Sequence, residues 1–402
     1  MDIMGWRGIG AACVLLVLLF QLAAGQNTLN CETQTFTVSA SGSVSVDISF
    51  ALAVAGFPSF GPSLGQVSFY GWDESNESWQ ITGTFSGEAA GDQFGASVAV
   101  VSDTNTAFIG APGALDGTGV AYEFALNNST GKWAPTGFVL QGEAAGDAFG
   151  AAVSLSRGAA VFGAPNADSS AGKVYIYERP QANDTWSLNS QFSGSAAGAS
   201  FGYAVNVAHS GSNVAVGAPS VSGSLAGSAY IFCKATANGT FTMCMDTASR
   251  SSAPGDLYGY SVGAISDSVN WDESGLFVGS PGEELVYFWN TWYYDYTYNE
   301  TIASPSGGAW GTSVAIDTTY YGGYVLPIVG SPQGASASAT SPSYATALLF
   351  EYGYWGDTFE PSLSLPNGSP SFGSAVALSR GTALIASDNS VTFWCTGVDY
   401  HY

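Results

Sequence analysis

Apolar and polar positions alternate along this chain in runs of only a few residues, and glycine, proline and asparagine separate the runs. From Phe94-Gly95 one alternating run leads through Val98 and Val100, a second ends at Gly110-Ala111-Pro112, and a third starts at Gly119-Val120-Ala121-Tyr122. A fourth surrounds Trp133. Period-two runs bounded by turn residues predict short antiparallel strands, and no sustained helical period occurs beyond an apolar stretch near the start. The predicted class is all-β.

The pattern repeats. The opening pair recurs at Phe149-Gly150, Phe201-Gly202, Tyr258-Gly259, Trp310-Gly311 and Phe372-Gly373. Gly-Ala-Pro returns at Gly163, Gly217, Gly279 and Gly330, with serine for alanine in the last two and Ala386-Ser387-Asp388 as a degraded final copy. A worn first copy runs through Val44 to Phe50 and Gly56-Phe57-Pro58. Seven units of four strands are the arithmetic of a seven-bladed β-propeller with four-stranded antiparallel blades. The last unit runs out of chain after three strands. The segment Glu32 to Ser39 has no unit of its own, so this N-terminal strand is expected to join the last blade and close the ring. Cys31 would then bond Cys395 across the seam.

The glycine after each aromatic anchor permits close backbone approach, while the ring fills the wedge between blades. The proline after each second strand ends the ladder. Asp92, Asp147 and Asp256 recur just before the anchor, and their repetition predicts carboxylates that cap turn amides. Gly259-Tyr260-Ser261-Val262-Gly263 has the spacing of a hydrolase nucleophile elbow, but Ser261 occupies the repeat position of Ser97 and Ser313, so a structural role is expected.

Residues 1–25 read as a secretory signal peptide, with Arg7 before the apolar run Ile9 to Phe20 and small residues at Ala23-Ala24-Gly25, leaving 26–402 as the propeller. The expected location is secreted, extracellular or at the cell surface, without membrane insertion. Eight basic residues against thirty-one acidic ones give a formal charge of −23, which disfavours nucleic acid as a partner. Of five cysteines, Cys13 leaves with the signal, and Cys233 and Cys244 flank a hairpin turn signal that should bring them together. Acceptor sequons for N-glycosylation stand at Asn76, Asn128 (overlapping Asn127), Asn183, Asn238 and Asn299, each expected in the turn between third and fourth strands, and at Asn367 elsewhere. They predict a glycan belt at one end of the propeller, with loops such as Ala114 to Thr118 open at the other. The aromatic run from Tyr287 to Tyr298 exceeds what packing between blades absorbs, so Trp289, Trp292, Tyr294 and Tyr296 are candidate partner contacts.

These strings, Ala-Gly-Asp-Gln-Phe-Gly-Ala-Ser-Val-Ala with Ile-Gly-Ala-Pro and Gly-Val-Ala-Tyr, resemble the FG-GAP repeat, known from the seven-bladed heads of integrin α subunits. The resemblance covers nearly all of the mature chain. It implies an adhesion, matrix or surface-assembly role, through an extracellular protein or glycan or through self-assembly into a coat or filament. Many members bind calcium between their first two strands. Here those connections hold too few oxygens, and the best remaining set is Asp267, Asn270 and Asp272, where a solvated acidic loop is the favoured reading over calcium. No other cofactor and no catalysis are expected. The alternatives are a carbohydrate-binding lectin and a hydrolase that uses acidic residues.

Overall fold

The computed structural model describes residues 33–38, 42–181, 184–221, 225–236, 239–247, 253–266, 274–292, 295–303, 309–318, 325–332, 346–351, 360–366, 371–379 and 382–395. After a first strand, β1 (Gln34–Thr37), come six sheets of four consecutive antiparallel strands each. Blade 1 holds β2 (Ser45–Ser49), β3 (Leu52–Phe57), β4 (Gln66–Asp73) and β5 (Ser78–Ser86). Blade 2 holds β6 (Ser97–Val101), β7 (Thr106–Ala111), β8 (Val120–Asn127) and β9 (Lys132–Gln141). Blade 3 holds β10 (Ala152–Leu155), β11 (Ala159–Ala164), β12 (Lys173–Glu178) and β13 (Ser187–Ser193). Blade 4 holds β14 (Ala204–Val207), β15 (Asn213–Ala218), β16 (Ser228–Lys234) and β17 (Phe241–Asp246). Blade 5 holds β18 (Ser261–Ser266), β19 (Ser274–Ser280), β20 (Leu285–Trp292) and β21 (Asp295–Ala303), and blade 6 holds β22 (Ser313–Thr318), β23 (Val325–Ser331), β24 (Thr346–Glu351) and β25 (Glu360–Pro366). A further four-stranded sheet is composite. Here β26 (Val376–Ser379), β27 (Thr382–Ser387) and β28 (Ser390–Cys395) are followed on the outside by β1, with Gln34 opposite Phe393 and Thr37 opposite Ser390. The fold is an all-β propeller of four-stranded antiparallel blades.

The core lies between sheets, as a radial arrangement demands. Each apolar cluster joins two neighbours: Val54, Phe69, Phe94 and Ile109 between blades 1 and 2, and Phe108, Phe149, Phe162 and Trp186 between blades 2 and 3. Between the composite sheet and blade 1, Phe393 and Val391 meet Tyr70 and Trp79. There Phe36 of β1 packs on Tyr70 at 5.0 Å, and the Trp79 amide donates to Gln34 Oε1 at 2.6 Å. Removing one fully buried wedge such as Phe149 would cost about 3 to 5 kcal/mol.

Innermost strands are sheet edges, with backbone groups that need partners. Three registers of side chains from the preceding blade supply them. Ser45, Ser97, Ser261 and Ser313 Oγ donate to the carbonyls of Gly95, Gly150, Gly311 and Gly373, at 2.7 to 2.9 Å. Two residues on, Asp47 Oδ2, Ser154 Oγ and Asn206 Oδ1 accept from the amides of Val100 (2.7 Å), Val207 (3.0 Å) and Ala264 (2.9 Å). At the far end of blade 1, Ser49 Oγ accepts from the Ser102 amide at 3.0 Å.

The two signature glycines answer one contact. A Cβ on Gly110 would lie 2.0 Å from the Gly150 carbonyl oxygen of the next blade, and Gly150 itself has φ 78°. Alanine fits neither place. The degraded copy keeps Ala386 at this register, where the neighbouring blade 1 has Gly42-Ser43 in place of an aromatic-glycine pair. Regular strands begin three residues after five of the aromatic anchors and four after Phe372, rather than at them, because the anchor docks on the previous blade first: the Phe94 amide donates to Leu64 O at 3.1 Å and the Phe149 amide to Thr118 O at 3.0 Å. Each second strand ends one residue before its proline, as at Ala111, Ala164 and Ala218.

One expectation about the turns is corrected. Asn299 lies inside β21, at a bulge between Phe288 and Trp289 of its partner strand, rather than in the turn before it. The third-to-fourth-strand pairing bulges at the corresponding place in six sheets, as between Phe69 and Tyr70, and such a bulge increases local twist.

Candidate functional site

Antiparallel order sorts the connections between two ends of the propeller. One end carries the aromatic anchors and the second-to-third and fourth-to-first connections. The other carries the first-to-second turns and the sequon-bearing third-to-fourth turns. The first is the loop face.

Its protruding parts are tight left-handed turns. After Pro112, Ala114 is buried and its carbonyl accepts from the Gly119 amide at 3.0 Å, while Leu115 (φ 53°), Asp116 (φ 56°) and Gly117 (φ 77°) all take positive φ. Blade 3 repeats the turn with Ala167 buried and Asp168, Ser169 and Ser170 left-handed. A bulky non-glycine residue at positive φ costs backbone energy, so the turn must be held by its surroundings. The next blade holds it: the Ala148 amide donates to Gly117 O and the Ser200 amide to Ser170 O, both at 2.8 Å. Leu115 is thereby left 60% exposed at the tip. In blade 4 the corresponding connection exposes Val221 and Leu225.

Around these tips the face is acidic. Lys173 Nζ bridges Glu143 (2.9 Å) and Asp168 (3.1 Å), and Gln191 Nε2 also donates to Glu143. The Lys173 ammonium holds the Glu143 carboxyl below its usual range, and Glu143 in turn raises Lys173. Asp92, Asp147 and Asp256 each use Oδ2 to accept an amide three residues back, from Ala89 (2.9 Å), Ala144 (2.9 Å) and Ala253 (3.2 Å). Their turn-capping role is therefore observed. Ser261 is an inter-blade strut like Ser97 and Ser313.

Other sequence candidates are placed as follows. Cys233 and Cys244 form a disulfide with Cα atoms 5.9 Å apart, Cys244 occupying the bulge of β17. Cys31 lies outside the described residues, and Cys395 ends β28 opposite Thr382. Asn76 and Asn128 are exposed in their turns, while Asn183, Asn238 and Asn367 lie outside the described residues. So do Asp267, Asn270 and Asp272. Among the described residues, no group of three or more His, Cys, Asp or Glu could hold a metal ion. Trp289 is half-buried, packs against the core between blades 4 and 5 and donates through Nε1 to Tyr258 Oη at 3.0 Å. Trp292 and Tyr296 fall at the strand ends flanking the β20 to β21 turn, and Tyr294 lies outside the described residues.

Two features escaped the sequence reading. Arg179 is buried against Glu123 (3.1 Å) of the preceding blade and stacks 4.4 Å over Trp186, whose Nε1 donates to the same carboxylate at 2.8 Å. Lys234 repeats the device one blade on, paired with Glu178 and set over Phe241. Burial pulls Arg179 below the usual guanidinium value while Glu123 pulls it back. The scarcity of basic residues was the available signal, since two of the eight follow a third strand at one repeat position. The second feature is a pair of half-buried tyrosines, Tyr203 and Tyr260, two residues after successive anchors, with ring centroids 5.0 Å apart.

Residues 139–177, from the end of blade 2 through β12, match the family model of the FG-GAP repeat. No curated protein sequence matches the chain. Among solved structures, a provisionally assigned 6-phosphogluconolactonase from Bacteroides uniformis aligns with TM-score 0.56 and 12% identity, over 84% of this chain and 88% of that one. A second provisional 6-phosphogluconolactonase, from Bacteroides fragilis, gives 0.54 and 11% over 84% and 90%. A protein of unknown function from Desulfotomaculum acetoxidans gives 0.52 and 12% over 81% and 87%. Likeness at such identities is likeness of fold. The chain carries an FG-GAP repeat within a β-propeller of four-stranded antiparallel blades.

Proposed function

We propose that this protein is a secreted, non-catalytic propeller that works outside the cell in adhesion, matrix or surface assembly, and that its composite sheet is the seventh blade, closing the ring. The observation that carries the binding role is the pair of apolar loop tips exposed on one face, Leu115 in blade 2, whose turn is held by the Ala148 amide of the next blade, and Val221 in blade 4, beside Ser220, whose amide donates to Ala199 O. Rigid apolar anchors in a polar surround are what an interaction surface needs. Nearby, Asp92, Asp147 and Asp256 cap turn amides and Lys173 bridges Glu143 and Asp168, which ties down these loops.

The experiment is attachment of the purified full chain to extracellular matrix and to its own immobilised copy. Leu115→Asp with Val221→Asp is expected to weaken attachment about tenfold, the loss of one ordinary hot spot. Unchanged attachment would contradict the reading, as would turnover of a lactone or glycoside. A lectin is the second reading, favoured by the tyrosine pair, because adjacent rings can stack on a sugar. Binding on a glycan array that Tyr203→Ala and Tyr260→Ala abolish would establish it instead.

A further inference from the structure

Among the described residues, the outermost strand of a blade has no further strand beside it, although single amides at its start are capped, Trp79 by Gln34 and Phe241 by Ser190, and apolar side chains on such an edge invite pairing with another copy. Three described edge strands carry an exposed aliphatic residue at one register: Ile81 (53% exposed) on β5, Leu188 (49%) on β13 and Met243 (56%) on β17. Each lies just past the bulge, opposite Tyr70, Tyr177 and Phe232. In blades 2 and 6 the same register holds proline, Pro135 opposite Phe124 and Pro361 opposite Phe350. Proline has no amide to offer and guards an edge by itself.

The sequons divide in the same way. Asn76, Asn183 and Asn238 each stand five residues before Ile81, Leu188 and Met243. Blade 6, with its proline, has no sequon between its third and fourth strands. Blade 2 has both kinds of guard, its sequons Asn127 and Asn128 sitting in a longer turn and its exposed Val139 lying beyond Pro135. In blade 5 the sequon asparagine, Asn299, lies on the edge strand itself. Asn76 is exposed in its turn, and Asn183 and Asn238 lie outside the described residues.

We infer that N-linked oligosaccharides on Asn76, Asn183 and Asn238 cover the open outer edges of blades 1, 3 and 4. The inference rests on the export reading, and it assigns the sugars a task distinct from the loop face. An oligosaccharide is bulky and hydrated, and each of these asparagines precedes the edge strand by only a few residues of sequence, which is within its reach of the aliphatic residue. The three unguarded registers are the three that receive one.

The test uses the full chain secreted from a eukaryotic cell line, with Ser78→Ala, Thr185→Ala and Thr240→Ala removing the three sequons while keeping each asparagine. Every substitution should remove the mass of one oligosaccharide. The triple variant should shift from monomer to larger species in light scattering, and adding Ile81→Thr, Leu188→Thr and Met243→Thr should return it to monomer. Ser129→Ala with Thr130→Ala, next to the proline-guarded edge, should lose its sugar without a shift in size. Enzymatic removal of sugars from the folded parent gives the same readout should a variant fail to be exported. A parent whose mass is unchanged by that enzyme, a triple variant as monodisperse as the parent, or a control that aggregates equally would each overturn the inference. None of these substitutions touches the loop face, so the outcome is separable from that of the attachment assay.

Discussion

At the scale of single residues, the interfaces between blades depend on small polar side chains that reach one strand across. Asp47 is the one ionisable member of its register, and burial raises its carboxyl from 3.8 to about 7. The folded chain therefore keeps a proton that the unfolded chain releases, so stability is full below about pH 4, falls as pH rises toward 7 and is flat above it. Asn206 performs the same task uncharged in blade 4. Asp47→Asn should keep the bond to Val100 and abolish this slope, leaving the variant more stable than the parent at pH 8 by at most a few kcal/mol, since a tenfold difference in proton affinity between the folded and unfolded chain is worth about 1.4 kcal/mol. Denaturant unfolding at pH 4 and pH 8 checks it; a variant with the parent's slope would contradict it. Glu123→Ala is expected to cost about 3 to 5 kcal/mol, because Arg179 would remain buried without its partner. These residues were hard to see in the sequence. Their partners are backbone groups or side chains more than fifty positions away, and Asp47 lies in the most worn copy of the repeat, so neither residue type nor local spacing marks them.

At the scale of elements, the strands and their order were legible because short apolar runs, continuous in second strands buried on both faces and alternating toward the outside, are bounded by glycine and proline that mark the ends. The docking of the anchors on the previous blade was not, and it moves the start of the first strand by three residues, four after Phe372. The bulge was equally hidden, since an extra residue in one strand alters no composition; Asn299 sits at it, inside β21, because the pairing of β20 with β21 runs on past it as far as Trp292 and Asp295. The bulge also sets the disulfide of blade 4, where Cys244 is the extra residue and reaches back to Cys233. Replacing both cysteines by serine should cost about 3 kcal/mol in the loop-entropy model for a bridge of separation 11. A midpoint shift in denaturant confined to the oxidised parent would show it.

At the scale of the molecule, the propeller class with its four-stranded antiparallel blades followed from the repeated anchors, while six blades of consecutive strands stand where seven were expected; the chemistry of the two ends followed only from the structure, which shows where apolar tips and open edges stand. The arrangement depends on a sheet assembled from both ends of the chain. Residues of β1 lie over Phe393 and against Tyr70, so the first strand joins the composite sheet and packs on blade 1 at once. Phe36→Ala should therefore destabilise the composite sheet and its packing on blade 1 together, by about 3 to 5 kcal/mol if the site does not collapse, rather than fray one terminus. Hydrogen exchange followed by peptide mass spectrometry measures this seam most directly. The account predicts that amides of 34–38 exchange as slowly as those of β28 and are released together with them in denaturant; amides of 34–38 that exchange at the rate of a free tail, while β28 stays protected, would contradict it.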